Sequence, residues 1–400
     1  MLFITGTFRS GSTLLLSILN VHPGILIAYQ PFMHLFKMAV EKYYSDDAGN
    51  PSGKRNLPLG LFHFSSDQDR KKFSQELPFI IFGSHDTAEL KQKMQKALTV
   101  PESFNNDMKP RKMVGLLDLV QPGPLIDLVS QFLLLFERAY SETKVPVLGF
   151  KELYFEELID PFLNASSSSK VILLVRDPRA ALASRNYGEY AKATGGKYPI
   201  LFICRNWRRS VHQYAANRNK KNFSMVRYED LIAKPEKCLK GLCRFLNQPF
   251  TPDMLNYSLL TDFSGNSWIG NSSFSTEKSI NVNAINRWQN ILSEDEVKVV
   301  DFFCGPEMEY MGYHRQYPVC TTKNLEYYEE ERGQIKEWIN DLGFTLTPAA
   351  IHEEKYRQNM LKSPKNTHTE AELYASFNGP AVFSQLAHHA VPARYTNPSS

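Results

Sequence analysis

The sequence predicts an α/β fold, a three-layer sandwich in which helices cover both faces of a parallel sheet. The opening residues form a short apolar strand, Leu2–Thr5, followed by a glycine-containing loop and the apolar helical segment Leu14–Asn20. Val171–Val175 is an unbroken run of valine, isoleucine and leucine, which is typical of a central parallel strand buried on both faces. Hydrophobic residues make up 42% of the 400 residues, which is enough for a large core around such a sheet.

Strands and helices are predicted to alternate along most of the chain. The first helix ends at the His-Pro-Gly sequence of residues 22–24, and the strand Ile25–Tyr29 follows it. Ser293 and Glu296 form a capping box, which predicts a helix from Glu294 to about Phe303. The other predicted elements are strands at Val145–Phe150 and Phe223–Tyr228 and helices at Thr87–Leu98, Leu125–Tyr140, Ala180–Arg185, Pro235–Leu246 and Leu325–Asn340.

Composition divides the chain into three parts. Residues 1–317 are expected to form one α/β domain. Residues 31–144 are an insertion within it, because proline, glycine, asparagine and charged residues interrupt the pattern there. Residues 318–400 form a C-terminal extension, whose last part, from about Asn366, has weak periodicity and is expected to be a flexible tail.

The charge balance and hydropathy exclude several classes of protein. Lysine and arginine total 46 against 42 aspartate and glutamate, so the net charge is only +4 and no nucleic-acid partner is expected. No run of about 18 apolar residues occurs, which predicts no membrane span. Residues 191–228 nevertheless contain nine basic residues and no acid. This stretch is either a solvated basic face or an electropositive rim that steers an anionic ligand.

The five cysteines show neither a CxxC motif nor the spacing of a metal site, so no metal is predicted. Their sparse, odd number is typical of a reducing compartment, and the N-terminus lacks the basic segment of a signal peptide. A cytoplasmic location is therefore expected. The Golgi lumen is the alternative if an N-terminal anchor precedes this sequence in the whole protein.

The loop after the first strand has the features of an anion-binding site. Gly6 and Gly11 have the spacing of a Walker A loop, but Ser12 occupies the position where that motif needs lysine. Backbone N–H groups at the start of the helix, the hydroxyls of the loop and Arg9 still provide donors and positive charge. The fold is therefore P-loop-like, with an anion smaller than a triphosphate. An ordinary strand-to-helix turn is the simpler alternative.

A second anion-binding motif follows the strand Val171–Val175. Arg176 comes directly after this strand, and Ser184 lies eight residues later on the next predicted helix. The arginine offers a planar pair of donors and the serine a hydroxyl, so the two suit one phosphate group. The alternative is a surface turn between Arg176 and Asp177. A third segment, Val226–Leu231, has the pattern of a strand that ends in acidic residues.

Together these segments resemble the sulfotransferases that use 3′-phosphoadenosine 5′-phosphosulfate (PAPS), in particular the bacterial and nodulation-factor-like, tyrosylprotein and carbohydrate sulfotransferase branches. Residues Thr7–Leu15 are similar to the 5′-phosphosulfate loop of that family, and Val171–Ser184 to its 3′-phosphate motif. Trp268–Phe274 resembles a loop that covers the cofactor in those branches. The similarity covers residues 1–30 and 145–313 and leaves out the insertion and the C-terminal extension.

The resemblance implies a donor, a product and a set of binding residues. The sulfuryl group of PAPS passes in line to a hydroxyl or amine of a small-molecule or carbohydrate acceptor, leaving adenosine 3′,5′-bisphosphate (PAP). No metal is implied, because arginine balances the charge of the leaving phosphate. The implied cofactor-binding residues are Arg9, Ser10, Gly11, Ser12, Thr13 and Leu14 for the 5′ group, Arg176 and Ser184 for the 3′-phosphate, Tyr228 for the nucleotide, and Ser272 and Ser273 for closure over the phosphates.

The resemblance also implies catalytic residues. Lys151 stands just past a predicted strand, where related branches place a lysine against the transferring group, and Arg9 faces the leaving phosphate. The glutamate expected as base in the tyrosylprotein and carbohydrate branches is replaced here by Gln30. The substitutes in this chain are His34, Glu152 and His85. Among them His34 is preferred, because an ordinary histidine pKa of about 6.5 suits a base.

Two other functions stay open. Gln30 is consistent with a protein that binds PAP or PAPS without catalysis, and the Walker A spacing with a P-loop kinase-like phosphotransferase. The insertion is expected to lie on the acceptor side, where the candidate residues by composition are Phe62, His63, Phe64, Phe79, Phe82 and His85. The sequence specifies neither the acceptor nor the oligomeric state.

Overall fold

The computed structural model describes residues 1–46, 64, 66–100, 107–188, 191–192, 195–269, 281–318, 325, 328, 335, 344 and 346–362. The strands are β1 (Leu2–Gly6), β2 (Ile25–Tyr29), β3 (Ile81–Phe82), β4 (Gly123–Pro124), β5 (Val147–Lys151), β6 (Lys170–Val175) and β7 (Phe223–Arg227). Five of them form one parallel sheet in the order β2-β5-β1-β6-β7. The remaining two, β3 and β4, form a short antiparallel pair within the insertion.

The sheet is surrounded by helices. They are α1 (Ser12–Leu19), α2 (Met33–Asp46), α3 (Asp67–Glu76), α4 (Ser84–Thr99), α5 (Leu125–Tyr140), α6 (Ile159–Ala165), α7 (Pro178–Asn186), α8 (Ile200–Asn217), α9 (Tyr228–Ala233), α10 (Pro235–Leu246), α11 (Glu294–Tyr310) and α12 (Pro348–Lys362). Short 3₁₀ segments, among them Arg111–Leu119, connect several of these elements.

Alternation along the strands gives the sheet two apolar faces. On β1, Leu2 and Ile4 join one apolar cluster with the leucines of α1 and α10, whereas Phe3 joins the other cluster with α2, α5 and α8. Strand β6 alternates in the same way, and the side chains of Val171–Val175 are all fully buried. These layers confirm the predicted α/β sandwich around a parallel sheet.

Most predicted elements are present close to their expected bounds. The helices predicted at Leu125–Tyr140 and Pro235–Leu246 and the strand at Ile25–Tyr29 match the structure at both ends. Helix α11 runs seven residues past its expected end because the chain stays helical through Pro306. The helix expected at Leu325–Asn340 and the tail lie largely or wholly outside the described residues.

The start of the insertion is helical, which its composition did not predict. Helix α2 and the residue before it pack onto the sheet through phenylalanines: the ring centroids of Phe32, directly before the helix, and Phe36 lie 4.8 and 5.8 Å from that of Phe150 on β5. Phe132 on α5 contacts Phe32 at 5.9 Å. The insertion therefore shares its apolar core with one face of the sheet, and long-range packing rather than a local pattern specifies α2.

Gly6, the last residue of β1, leaves no room for a side chain. Its φ is 143°, and a Cβ there would lie 2.1 Å from the carbonyl oxygen of Leu174. We expect Gly6→Ala to lower the free energy of unfolding by at least about 2 kcal/mol, measured by urea unfolding. Gly115→Ala is the matched control, because a Cβ at Gly115 meets nothing within 4 Å. Equal stability of the two variants would contradict this prediction.

Candidate functional site

The loop between β1 and α1 leaves the first turn of a helix open to a ligand. Gly11 has a φ of 92°, and its carbonyl accepts the N–H of Leu15 at 3.0 Å as the helix begins. Before it, the N–H of Ser10 donates to the Thr7 carbonyl at 3.1 Å. Among the residues described, no side chain caps the N-terminus of α1. The N–H groups of this turn are therefore available to an anion, which the helix dipole also favours.

Ser10 places a buried hydroxyl inside this loop. The residue is 0% exposed, and its Oγ has no hydrogen-bond partner among the described residues. Buried hydroxyls are normally hydrogen-bonded, so a bound ligand is the expected partner. Ser12 and Thr13 are buried in the first turn of α1, and Leu14 is half-buried beside them.

The second predicted motif folds onto the loop. Nη1 of Arg176 donates to the carbonyl oxygen of Arg9 at 3.2 Å, and Nη2 donates to the carbonyl oxygen of Ala284 at 2.9 Å. In turn, Nε of Arg9 donates to Oγ of Ser184 at 3.1 Å. The structure thus brings together the residues assigned to the 5′ and 3′ groups. The buried Nε of Arg176 has no partner among the described residues, so one guanidinium donor is left for a ligand.

Tyr228, the first residue of α9, bounds the site on a third side. Its ring centroid lies 4.2 Å from the guanidinium carbon of Arg176. A Cβ on Gly11 would lie 2.4 Å from Cδ2 of the same ring, so only glycine lets the loop pass this closely. Two further predicted residues, Ser272 and Ser273, lie outside the described residues.

Lys151 ends β5 at the same edge of the sheet. It is in register with Ile4 of β1 and Tyr29 of β2, and the face that these residues share is the one covered by α1. The residue is 1% exposed, and its ammonium lies 4.3 Å from the centroid of the Tyr29 ring. The cation is therefore held on the side of the sheet that carries the loop and α1.

The next residue, Glu152, holds the start of α2. Its Oε1 accepts the backbone N–H of Phe32, directly before the helix, whereas Oε2 has no partner within the described part of the chain. Burial raises the pKa of this carboxyl to about 8, although the N–H donors and the charge of Lys151 oppose the rise.

His34, the preferred base, lies in the first turn of α2 and is half-buried. Burial lowers the pKa of its imidazole, and the positive charges of Lys93 and Lys37 lower it further. Lysines on two insertion helices, α2 and α4, thus disfavour the protonated form of this histidine.

The other positions discussed for the base lie apart from one another. Gln30 has a φ of 42° and donates its backbone N–H to the Lys151 carbonyl at 2.8 Å, so it sits at the sheet edge beside the predicted catalytic lysine. His85 is exposed near the start of α4. Of the three proposed substitutes, His34 and Glu152 are therefore the two at the start of α2.

Helix α8 supports both anion-binding motifs, which sequence reasoning missed. Oγ1 of Thr7 donates to Oγ of Ser210 at 2.9 Å, and Ser210 donates to Oε1 of Glu156 at 2.8 Å. Nε1 of Trp207 donates to the carbonyl oxygen of Arg176 at 2.6 Å. The sequence gives no clear signal for this support, because Trp207 and Ser210 stand among several other polar and basic residues of the helix.

The basic stretch 191–228 was predicted to be either a solvated face or an electropositive rim. Two of its arginines fit neither prediction. Arg208 and Arg209 are only 4% and 7% exposed. Arg209 pairs with Glu156 at 2.5 Å, and Arg208 pairs with Glu354 at 2.9 Å. Neither residue forms a solvated face or a rim, because acids from distant parts of the chain neutralise both of them in the interior.

Within the part of the chain that the structure describes, no group of three or more histidine, cysteine, aspartate or glutamate side chains could hold a metal ion. No helix there is both long enough and apolar enough to cross a membrane. Four cysteines are free thiols, namely Cys204, Cys238, Cys243 and Cys304.

Comparison with known proteins identifies the family. The model described as "Sulfotransferase family" matches residues 2–252, which is more than half of the chain. The chain belongs to the sulfotransferase family. The matched range includes the loop after β1, Lys151, Arg176, Ser184 and Tyr228.

Curated relatives are distant in sequence. Carbohydrate sulfotransferase 2 of Homo sapiens is 23% identical over 359 residues, covering 79% of this chain and 65% of that protein. The chain thus spans slightly less than two thirds of that relative's length. Carbohydrate sulfotransferase 3 of Tetronarce californica is 30% identical over 171 residues, covering 39% of this chain and 38% of the relative.

Solved structures with similarity to this sulfotransferase-family chain include two of different origin. The sulfotransferase domain from the curacin biosynthetic pathway is 19% identical, with a TM-score of 0.45, over 78% of this chain and 98% of that domain. Retinol dehydratase in complex with retinol and PAP is 14% identical, with a TM-score of 0.35, over 77% of this chain and 81% of that one.

Glu152 is expected to make stability depend on pH. The folded protein binds a proton at this carboxyl up to about pH 8, whereas the unfolded chain releases it near the ordinary pKa of 4.5. The folded state holds more protons between these values, so the stability that the raised pKa contributes is complete below the unfolded pKa and is lost as the pH rises towards 8. We expect the wild-type free energy of unfolding to fall more steeply over this range than that of E152Q, by up to about 1.4 kcal/mol per pH unit.

Urea unfolding at three pH values across this range measures the difference. E236Q is the control, because the Glu236 side chain is 58% exposed. Its free energy of unfolding should depend on pH with the same slope as that of the wild type. Parallel pH curves for wild type and E152Q would show that the buried carboxyl is not the titrating group.

Proposed function

We propose that this member of the sulfotransferase family transfers a sulfuryl group from PAPS to a hydroxyl or amine of a small-molecule or carbohydrate acceptor and releases PAP. The observation that supports this most directly is the meeting of Arg9, Arg176 and Ser184 at the uncapped first turn of α1. Two guanidinium groups, a hydroxyl and a row of backbone N–H groups suit a ligand with two separate anionic groups. The names of the carbohydrate sulfotransferases among the relatives favour a carbohydrate acceptor.

The residues at the loop fit the anionic groups of PAPS. Two buried donors, Oγ of Ser10 and Nε of Arg176, lack partners among the described residues, and a bound anion would supply them. Arg176 and Ser184 bind the 3′-phosphate in this proposal, and Tyr228 packs against the nucleotide. The donors to the 5′-phosphosulfate come from Arg9, Ser10, Gly11, Ser12, Thr13 and Leu14, and closure over the phosphates comes from Ser272 and Ser273.

The transfer step depends on positioning and positive charge. The S–O bond to the leaving phosphate breaks while the acceptor oxygen or nitrogen bonds to sulfur, by analogy with the loose in-line transition state of phosphoryl transfer. Arg9 stabilises the charge that develops on the leaving phosphate, and Lys151, on the face covered by α1, contacts the transferring group. Because these cations balance the charge, the proposal assigns no metal ion to the site.

The acceptor's proton passes to His34 in this proposal. The lowered pKa of His34 keeps its imidazole neutral near pH 7, which is the form that accepts a proton. Glu152 is the second candidate base, since Oε2 has no partner among the described residues, but with a pKa raised to about 8 its carboxyl is mostly protonated at pH 7 and accepts a proton only as the pH rises towards 8.

A protein that binds PAP or PAPS without catalysis is the second candidate function. Gln30 replaces the expected glutamate and is joined through its backbone to Lys151, so the place beside the catalytic cation holds an amide that accepts no proton. A P-loop kinase-like phosphotransferase is less well supported, because the Walker A lysine is replaced by Ser12, which is 3% exposed.

The cellular location is proposed from the state of the cysteines. The four cysteines that the structure describes are free, which supports a reducing, cytoplasmic location. The fifth, Cys320, lies outside the described residues.

Binding of PAP tests the donor site. We expect calorimetric titration to show micromolar or tighter PAP binding without metal, and R176A to weaken it by about 1.5–3 kcal/mol, or roughly 10- to 150-fold, through loss of a charge-assisted contact. R138A is the control, because Arg138 lies on the exposed side of α5. Tighter binding of Mg-ATP than of PAP would favour the phosphotransferase, and equal affinities of R176A and wild type would remove Arg176 from the site.

Turnover tests the catalytic roles. With PAPS and a panel of carbohydrate and small-molecule acceptors, PAP release should persist in EDTA and fall by about 100-fold or more in H34A and in K151M, while the Kd for PAP stays within threefold. H85A should match wild type, because His85 is exposed near the start of α4. Loss of turnover in E152Q but not in H34A would transfer the base to Glu152, and PAP binding without turnover on any acceptor would favour the non-catalytic alternative.

A further inference from the structure

A second group of buried charges lies on the side of α8 away from the donor loop. It comprises Arg208 and His212 on α8, Glu307 on α11, and Glu354 and Arg357 on α12. None of these residues is more than 6% exposed. We call this group the α8–α12 charge cluster.

The cluster joins the C-terminal helix to α8 through both charge signs. Arg357 donates from Nη1 to Oε1 of Glu307 and from Nη2 to Oε1 of Glu354, each at 2.7 Å. Arg208 donates from Nη1 to Oε2 of Glu354 at 2.9 Å and lies 3.4 Å from Oε1 of Glu307. Two guanidinium groups thus face two carboxylates, and the charges balance.

The neighbouring histidine adds no positive charge to this balanced group, because its pKa is lowered. His212 lies 3.1 Å from Oε1 of Glu307, but burial lowers the pKa of its imidazole, and Arg208 and Arg357 oppose a further positive charge. The same two arginines hold the pKa of the Glu307 carboxyl well below its usual range. Removing either arginine would leave a buried carboxylate without its counter-charge, which is costly at such a site.

The residues that α8 presents to the donor site are interleaved with those of the cluster. Trp207, which binds the Arg176 carbonyl, precedes Arg208, and Ser210, which accepts from Thr7 of the loop, follows two residues later. A rigid helix that is displaced on one side moves on the other as well. The position of the loop and of Arg176 therefore depends on the α8–α12 charge cluster, which packs against the other side of α8.

We propose that Glu354 and Arg357 of the C-terminal helix are positioning residues for donor binding, acting through α8 on Thr7 and Arg176. The inference rests on the proposed function, because it takes PAP and PAPS as the ligands of the loop. Helix α12 begins 96 residues after the end of the range that the family model matches, so this support is an addition to the matched region. The C-terminal extension is then in part a component of the donor site.

The test compares PAP affinity in the full chain of wild type, R357M, R357K and K355M, by calorimetry at a temperature where near-UV circular dichroism shows each variant folded. We expect R357M to raise the Kd for PAP about 10-fold, because one carboxylate loses its counter-charge and α8 shifts. R357K retains the charge and should restore the Kd to within threefold of wild type. K355M is the matched control, because Lys355 is exposed on the same helix.

A coupling measurement separates positioning from simple stabilisation. S210A removes the contact between α8 and Thr7 but leaves that between Trp207 and Arg176, so the double variant S210A/R357M should weaken PAP binding by clearly less than the sum of the two single losses. A lowered Tm with an unchanged Kd in folded R357M, or fully additive losses in the double variant, would overturn the proposal. If R357M does not fold, E354Q, which removes one charge without changing size, replaces it, with a three- to fivefold rise in Kd expected and an unchanged Kd contradicting the proposal. Failure of wild type to bind PAP would instead overturn the proposed function itself.

Discussion

The hydrogen bond from Arg176 to the carbonyl of Arg9 joins the ends of two neighbouring strands, and the rest of the site depends on it. Strands β1 and β6 are paired in parallel up to Gly6, so their following loops leave the sheet side by side. From β1 the chain continues to α1 and to β2 on one side of the sheet, whereas from β6 it continues to α7 and to β7 on the other. The two loops therefore bound a crevice at the point where the strand order reverses, which is where open α/β sheets bind their ligands.

Sequence analysis predicted those parts of the site that depend on short, local segments. The glycine loop, Arg176 with Ser184 and the buried strand of residues 171–175 each depend on residues within a dozen positions, so their patterns are visible in one segment. The start of α2 could not be predicted in this way. It is held by Glu152, 120 residues away from its partner Phe32. The same applies to Ser210, whose partner Thr7 is 203 residues distant.

The two buried groups of charge around α8 differ in their ratio of arginines to carboxylates, and the pKa values of their carboxyls are shifted in opposite directions. Beside the loop, Arg209 is the one arginine among the described residues that pairs with both Glu156 and Glu157, and burial raises the pKa of Glu157 to about 8. In the α8–α12 charge cluster two arginines face two carboxylates, and Glu307 stays strongly acidic. Burial acts to raise the pKa of both carboxyls, and at Glu307 the charges of Arg357 and Arg208 outweigh it. Sequence alone marks these arginines only as a basic stretch, because their partners come from other segments.

Strand β5 ends in two adjacent residues that serve different layers of the fold. Lys151 lies on the face of the sheet covered by α1, where the donor loop begins, and Glu152 binds the start of α2 in the insertion. Successive residues of a strand face opposite sides, so a single strand end fixes the lysine and the insertion relative to each other. If the insertion lies on the acceptor side, as the sequence leads us to expect, donor and acceptor are aligned by consecutive residues of one strand. A shift in the register of β5 would then move both reactants from their positions. The end of this strand therefore sets the relative position of donor and acceptor in the proposed reaction.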